Sequence, residues 1–407
     1  MIPLLTFTTF LAAFLLFLIQ PMVAKMALPA LGGSPAVWNT AMVVFQSLLL
    51  AGYAWAHWLA RRPARWSLIA QCALMVAAAA ALPVALPAWD PPGEASPVWW
   101  LIGALLLAIG APFVALASVS PTLQRWLSRT EQRGADDPYF LYAASNAGSL
   151  LALLGYPFLI EPGLALGAQS WMFSGAYLVA AAGVVACAVV TWRSRRPVEA
   201  GPAPGPAAAP ESAPVTWRQR GLWLFLSFTP SALMLGVTLH ISTDLAAVPL
   251  LWVAPLAIYL LTFIIAFSRR PLPDRLVSHA AAIFGLAVVL TFLVRATEPV
   301  AAIVLVHLGF LFFGALACHQ RLAHGRPAPV RLTEFYLLIA VGGALGGVFA
   351  SLLAPVIFDS VAEYPIAIAL ALLAREGLGH GIEDHRRQQR GEHAAERPAD
   401  GDQQVEL

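Results

Sequence analysis

Long apolar runs separated by short polar connections dominate the pattern of this chain. A helix needs roughly 20 apolar residues to cross a bilayer core about 30 Å thick. We expect a membrane-spanning helix in each of eleven runs, which are residues 4–22, 38–60, 66–86, 98–119, 139–160, 170–191, 221–238, 247–267, 276–293, 300–318 and 335–356. A twelfth run, 361–374, is shorter, with Glu363 and Pro365 near its start. The pattern predicts an all-α integral membrane protein with twelve transmembrane helices, or eleven if the last run does not cross.

Composition agrees with a membrane location. Of 407 residues, 59% are hydrophobic and only 11% are charged, whereas soluble proteins carry about 25% charged residues. The formal net charge is +2, and the basic residues form no patch, so we expect the lipid bilayer as a partner and no nucleic acid. The cysteines, Cys72, Cys187 and Cys318, lie far apart in apolar runs, which predicts free thiols.

Basic residues alternate between the connections in a way that predicts orientation. All but two of the 24 Lys and Arg residues fall in the even-numbered connections and the tail, and the exceptions are Lys25 and Arg295. Because basic loops stay in the cytoplasm, both termini of a twelve-pass chain are expected there. In the eleven-pass alternative the tail lies on the other side.

The sequence divides into two parts that echo each other. We expect a six-helix half over residues 1–192, a cytoplasmic Pro/Ala-rich linker over 193–220, a second membrane half over 221–374 and a disordered polar tail over 375–407. The motif PAVW opens the second run, and the similar motif PLLW lies near the start of the eighth. The fifth and eleventh runs are both rich in small residues. Such an internal duplication is typical of major-facilitator-type transporters.

Several longer motifs point to one family. They are QPMVAK at 20–25, LGGSPAVWN at 31–39, YFLYAASNAGS at 139–149, TDLAAVPLLW at 243–252 and TEFY at 333–336. Over residues 1–370 the chain resembles the membrane domain of bacterial fused major-facilitator/spermidine-synthase-like proteins, which implies a bacterial inner (plasma) membrane. In that family a soluble aminopropyltransferase-like domain usually follows. Only 33 mostly polar residues follow Ala374, with no Gly-rich nucleotide fingerprint, so none of the family's catalytic residues has a counterpart here.

Polar residues within or beside the runs are the candidate substrate or gating residues, because such groups are costly in a bilayer. They are Gln20, Lys25, Gln46, Asn146, Asp244 and His307. For Gln46 and His307 we favour a hydrogen bond between helices over a solute or proton path, and for Asn146 a packing role beside Gly148.

The first helix is expected to end near Pro21, between Gln20 and Lys25. Lys25, the only lysine, and Asp244 follow corresponding helices of the two halves. They are expected either to approach each other at the outer mouth of a central cavity or to be unrelated loop charges.

Two functions fit these observations. The duplication and the polar candidates favour a transporter-like carrier of a small polar or cationic solute, linked by the family resemblance to polyamines. The missing synthase domain favours a non-transporting subunit or anchor for a separately encoded synthase-like partner. No HExxH, GxSxG or His/Asp cluster at metal-ligand spacing occurs in any run, so the sequence predicts no enzyme, no metal site and no cofactor.

Overall fold

The chain folds into a bundle of helices. The computed structural model describes residues 1–31, 35–90, 97–132, 134–194, 215–242, 253–296, 298–357 and 364–374, and contains no β-strand within them. We number the main helices α1 (Ile2–Leu31), α2 (Pro35–Ala60), α3 (Ala64–Ala78), α4 (Pro97–Leu127), α5 (Phe140–Gly155), α6 (Leu166–Arg193), α7 (Trp217–His240), α8 (Val253–Ala266), α9 (Asp274–Leu293), α10 (Val300–His324), α11 (Leu332–Val348) and α12 (Tyr364–Ala374).

Ten of these helices are long and apolar enough to cross a membrane, and α8 and α12 are shorter apolar helices. The predicted all-α membrane fold is therefore confirmed. The predicted tail, 375–407, lies outside the described residues, as does most of the predicted linker. The seventh helix begins at Trp217, before the expected start at 221, because Thr216 caps it by accepting a hydrogen bond from the Gln219 amide over 3.2 Å.

The first helix does not end at Pro21, so that prediction was wrong. α1 continues through Pro21 and Pro29 to Leu31. A proline removes one backbone donor, but packing against neighbouring helices can hold a membrane helix together across it. The Gln20 side chain adds a bond within the same turn by donating to the Leu16 carbonyl over 3.0 Å.

The two halves repeat the same helix contacts. In the first half α1 packs against α4 and α5, and α2 packs against α4. In the second half α7 packs against α10 and α11, and α8 packs against α10. The halves meet where α2 contacts α11 and where α5 contacts α8. These two interfaces correspond to each other when α1–α6 are overlaid on α7–α12, so the predicted arrangement of two related six-helix halves is confirmed.

Glycines lie at close helix contacts in both halves. A Cβ at Gly148 of α5 would overlap the Phe10 carbonyl oxygen of α1 and lie 3.1 Å from the Phe14 nitrogen. A Cβ at Gly342 of α11 would lie 2.6 Å from the Leu224 carbonyl oxygen of α7. Small residues let membrane helices approach closely, so the predicted packing role of these positions is confirmed. Beyond these contacts both helices pass into a π-helical turn, at Tyr156–Ile160 and Phe349–Leu353.

Candidate functional site

Several arginine-bearing segments meet at one end of the bundle. Arg129, which follows α4, donates to the Ala60 carbonyl at the end of α2 over 2.7 Å. Arg220, at the start of α7, donates to the Glu334 carboxylate of α11 over 2.7 Å. We call this the arginine-rich end, and the other the opposite end.

Loop residues join the two halves at the arginine-rich end. The Tyr139 hydroxyl donates to the Pro327 carbonyl over 2.7 Å, and Arg326 donates to the Asp137 carboxylate over 2.8 Å. Arg125 of α4 donates to a second carbonyl in the α10–α11 connection over 3.2 Å. Burial raises the pKa of the Tyr139 hydroxyl, so this group stays protonated and remains a donor.

Two further hydrogen bonds join side chains of the spanning helices. His57 Nδ1 of α2 lies 3.1 Å from Thr333 Oγ1 of α11. The Tyr336 hydroxyl of α11 donates to Gln124 Oε1 of α4 over 2.8 Å, and both residues are buried. Together with the three loop contacts, these bonds form what we call the end seal. It joins the two halves at the arginine-rich end.

Aromatic rings pack across the halves beside the end seal. The Tyr142 ring of α5 lies 4.6 Å from the Tyr336 ring of α11, centroid to centroid. It also lies 5.4 Å from the Phe263 ring and 5.0 Å from the Phe267 ring at the end of α8. These edge-to-face and tilted contacts are the arrangements that aromatic pairs prefer. Tyr142 is therefore the residue around which α5, α8 and α11 meet.

Four tyrosines define a candidate site between the halves. The tyrosine cluster consists of Tyr53, Tyr142, Tyr259 and Tyr336, contributed by α2, α5, α8 and α11. Tyr53 and Tyr259 pack against the core cluster to which Tyr142 and Tyr336 belong. The Tyr142 hydroxyl is hydrogen-bonded to the Asn146 side chain, and Tyr142 is buried. Tyr53 and Tyr259 are partly buried, and their hydroxyls have no hydrogen-bond partner among the described residues, which makes them the candidate solute contacts. None of these four tyrosines was among the site residues predicted from sequence.

Two predicted site residues lie along the same helices. Asn146 donates from Nδ2 to the Tyr142 carbonyl over 2.8 Å, one turn away within α5, so its amide does not form the expected tie between helices. Gln46 is exposed and makes no hydrogen bond to any described residue, so the expected interhelical bond is wrong there too. Gln46 lies seven residues before Tyr53 and therefore on the same face of α2.

His307 is a packing residue of the second half. It is fully buried, with Nδ1 2.6 Å from the Tyr364 hydroxyl of α12 and Nε2 3.2 Å from Thr291 Oγ1 of α9. The predicted hydrogen bond between helices is confirmed. These partners lie on α9 and α12, which form no part of the tyrosine cluster.

Lys25 has a carboxylate partner within its own half. Its ammonium lies 2.5 Å from Glu161 Oε1, just beyond the π-helical turn that follows α5. Both side chains are 38% exposed. Asp244, the partner expected from sequence, lies outside the described residues, so the Lys25–Asp244 pair stays a prediction.

Lys25→Met and Glu161→Gln should not be additive in their effects on thermal stability. An exposed or half-exposed ion pair contributes about 0–1 kcal/mol, so we expect a coupling energy near the upper part of that range. A double-mutant cycle on the detergent-solubilised protein measures it. The matched cycle uses Lys25→Met with Asp244→Asn. A larger coupling in that second cycle would favour the pair expected from sequence over the pair with Glu161.

No protein-family model matches the chain, and no curated protein matches it by sequence. Solved transporters nevertheless share its fold. The human organic anion transporter MFSD10 (TETRAN) superposes with a TM-score of 0.57 at 14% identity, covering 92% of this chain and 98% of that one. A bacterial homologue of the iron transporter ferroportin, in an outward-facing state, gives 0.56 at 14% identity and covers 92% and 96%. The proton:xylose symporter XylE, of the major facilitator superfamily, gives 0.53 at 12% identity and covers 91% and 94%.

At these identities the likeness shows the fold alone. The chain is a multi-pass membrane protein with a major-facilitator-like fold. The sequence resemblance to synthase-fused proteins stays a prediction.

Proposed function

We propose that this protein is a carrier of a small polar solute that is neutral or carries a single positive charge. The observation behind the proposal is the combination of the end seal with a tyrosine cluster between the halves, in which the Tyr53 and Tyr259 hydroxyls have no hydrogen-bond partner among the described residues. A carrier must expose one site to each side in turn by rocking two halves about it. The interfaces α2–α11 and α5–α8 are the surfaces on which such rocking would occur, and solved proteins of this fold include transporters.

The chemistry of the tyrosine cluster supports this solute class. Tyrosine rings attract cations through their negative faces, and the free hydroxyls can donate or accept hydrogen bonds. Asn146 and Gln46 add amide groups along the same helices. In the described residues, Asp and Glu occur only at or beyond the ends of the spanning helices. A polyamine carries several ammonium groups, and the interior offers no carboxylate from the described residues to pair with them. The interior therefore favours a solute with one positive charge or none.

The arginines also indicate how the protein is oriented in the membrane. We propose that the arginine-rich end faces the cytoplasm, because basic connections are retained there. The end seal then closes the cytoplasmic side, and the tyrosine cluster is reached from outside.

Reporter fusions test this orientation and the twelve-pass topology together. Reporters placed within residues 197–215 and after Leu407 should both give a cytoplasmic signal, and one placed within residues 90–94 should give a periplasmic signal. The measurement is the ratio of alkaline phosphatase to green fluorescent protein activity. A periplasmic signal after Leu407 with a cytoplasmic signal at 197–215 would support eleven passes instead.

Uptake by proteoliposomes tests the proposed function. The purified full chain is reconstituted and assayed with a panel of labelled neutral, monocationic and polyamine solutes. For a transported solute, Tyr53→Phe or Tyr259→Phe should raise KM about 2- to 10-fold, the effect of losing one hydrogen bond. Tyr177→Phe is the matched control, because that hydroxyl donates to the Met75 carbonyl inside the first half. No uptake of any solute, with co-purification of a synthase-like protein, would favour the anchoring alternative.

A further inference from the structure

A cleft opens beside the start of α7 at the arginine-rich end. Its volume is about 480 Å³, within the usual size range of ligand sites. It is lined chiefly by Thr216, Arg218, Gln219, Leu222, Phe225 and Arg321, so residues of α7 form most of the wall and α10 supplies one arginine. None of the four cluster tyrosines lines the cleft.

Two guanidinium groups give the cleft an excess of positive charge. Arg218 is exposed and has no hydrogen-bond or ion-pair partner among the described residues. Arg321 donates to the Ala374 carbonyl over 3.1 Å, a neutral acceptor that leaves its charge uncompensated by any described carboxylate. The neighbouring Arg220 differs, because Glu334 pairs with it. No Asp or Glu belongs to the lining residues.

The backbone amides at the start of α7 add hydrogen-bond donors that also favour an anion. Thr216 accepts from the Gln219 amide, while the amides of Trp217 and Arg218 occupy the first positions of α7, where no intrahelical acceptor exists. The helix N-terminus also carries a partial positive charge that favours an anion.

The other wall of the cleft is apolar. Leu222 and Phe225 follow Arg218 by one and two turns of α7, and both pack only partly into the core of the second half. Trp217 is 83% exposed next to the cleft, a position typical of an aromatic side chain at headgroup level. The ligand therefore needs an anionic head joined directly to an apolar chain.

We propose that this cleft binds one anionic phospholipid, with its phosphodiester between Arg218 and Arg321 and an acyl chain along Leu222 and Phe225. Basic pockets between transmembrane helices are suited to acidic lipid headgroups. A bound lipid would connect α7 to the end of α10, since the two arginines lie on these helices.

Native mass spectrometry of the detergent-purified full chain tests the proposal. Dioleoyl phosphatidylglycerol and dioleoyl phosphatidylcholine are titrated separately, and the ratio of their dissociation constants is measured. Arg218→Gln should weaken phosphatidylglycerol binding about fivefold, the equivalent of about 1 kcal/mol per basic residue, and should leave phosphatidylcholine unchanged. Arg321→Gln should have a similar effect, and Arg218→Lys should retain most of the affinity.

Arg275→Gln is the matched control. Arg275 is also exposed, at the same end and in the second position of a helix, but it does not line the cleft. This variant should bind phosphatidylglycerol as the unchanged chain does. An equal loss in Arg275→Gln would mean general attraction of acidic lipid and would overturn the proposal. Displacement of the lipid by millimolar inorganic phosphate would overturn it as well, because the site would then recognise a free anion.

Discussion

Gly148→Leu should lower the folding stability of the solubilised protein by about 3 kcal/mol, the upper range for overpacking a close contact. The new side chain would meet the Phe10 carbonyl of α1, and backbone cannot move aside as a flexible side chain can. α1 and α5 would have to separate at this contact. The measurement is the fraction of protein that remains monodisperse after heating in detergent.

Gly155→Leu controls for the added bulk in the same helix. Apart from its chain neighbours and the backbone of its own helix, no atom lies within 4 Å of a Cβ placed at Gly155, so this variant should lose much less stability than Gly148→Leu. Gly342→Leu in α11 should reproduce the Gly148→Leu result, because the second half repeats the contact. Equal stability of Gly148→Leu and Gly155→Leu would refute the close-packing explanation.

Tyr142→Ala should weaken the contact between the halves, with a stability loss of about 3 kcal/mol, at the lower end for removing a buried aromatic ring. The variant loses ring contacts to Phe263, Phe267 and Tyr336 at once. Without them the arginine-rich end should open more readily, and cysteine reagents applied from that end should reach engineered sites near the cluster faster. Thermal unfolding and reagent accessibility measure the two effects.

Tyr142→Phe separates the ring from its hydroxyl. It keeps every ring contact and removes only the hydroxyl, which is hydrogen-bonded to Asn146 within the same helix, so stability should fall by no more than about 1 kcal/mol. Uptake of a transported solute should still fall in apparent affinity. If Tyr142→Phe destabilised the protein as much as Tyr142→Ala, the hydroxyl would have a structural role that this account does not give it.

Most of the fold could be predicted from local signals. Each membrane crossing requires a long apolar run, and basic residues avoid one side, so run length and charge alternation suffice to predict the helices. Gly148 and the glycines of α11 were recognisable because only small residues permit close backbone contact. The failure at Pro21 has a physical cause: neighbouring helices stabilise a broken hydrogen-bond ladder, and this support is invisible in the sequence of one helix.

The candidate site was less accessible to sequence reasoning. Residues were selected for the cost of a polar group in lipid, and this criterion found His307, which serves packing, and Gln46, which the structure leaves exposed. Because tyrosine is largely apolar, its presence in an apolar run does not mark a candidate site. One signal was present, since six of the eight tyrosines fall in the second, fifth, eighth and eleventh runs. The distribution of tyrosines indicates a site only when it is known that these four helices meet in the fold.

The central claim is that the halves must separate at the end seal for a solute to cross. A His57→Cys/Thr333→Cys pair spans the seal, because the native side chains lie 3.1 Å apart on α2 and α11. The pair is introduced into a chain whose Cys72, Cys187 and Cys318 are replaced by alanine, and it is joined with a reducible thiol cross-linker.

The matched pair is Ala60→Cys/Arg129→Cys, which lies at the same end but within the first half. Solute uptake into proteoliposomes is then measured before cross-linking, after it and after reduction. We expect cross-linking to stop uptake only in the pair across the halves, and reduction to restore it. Undiminished uptake by the fully cross-linked His57→Cys/Thr333→Cys protein would contradict the claim.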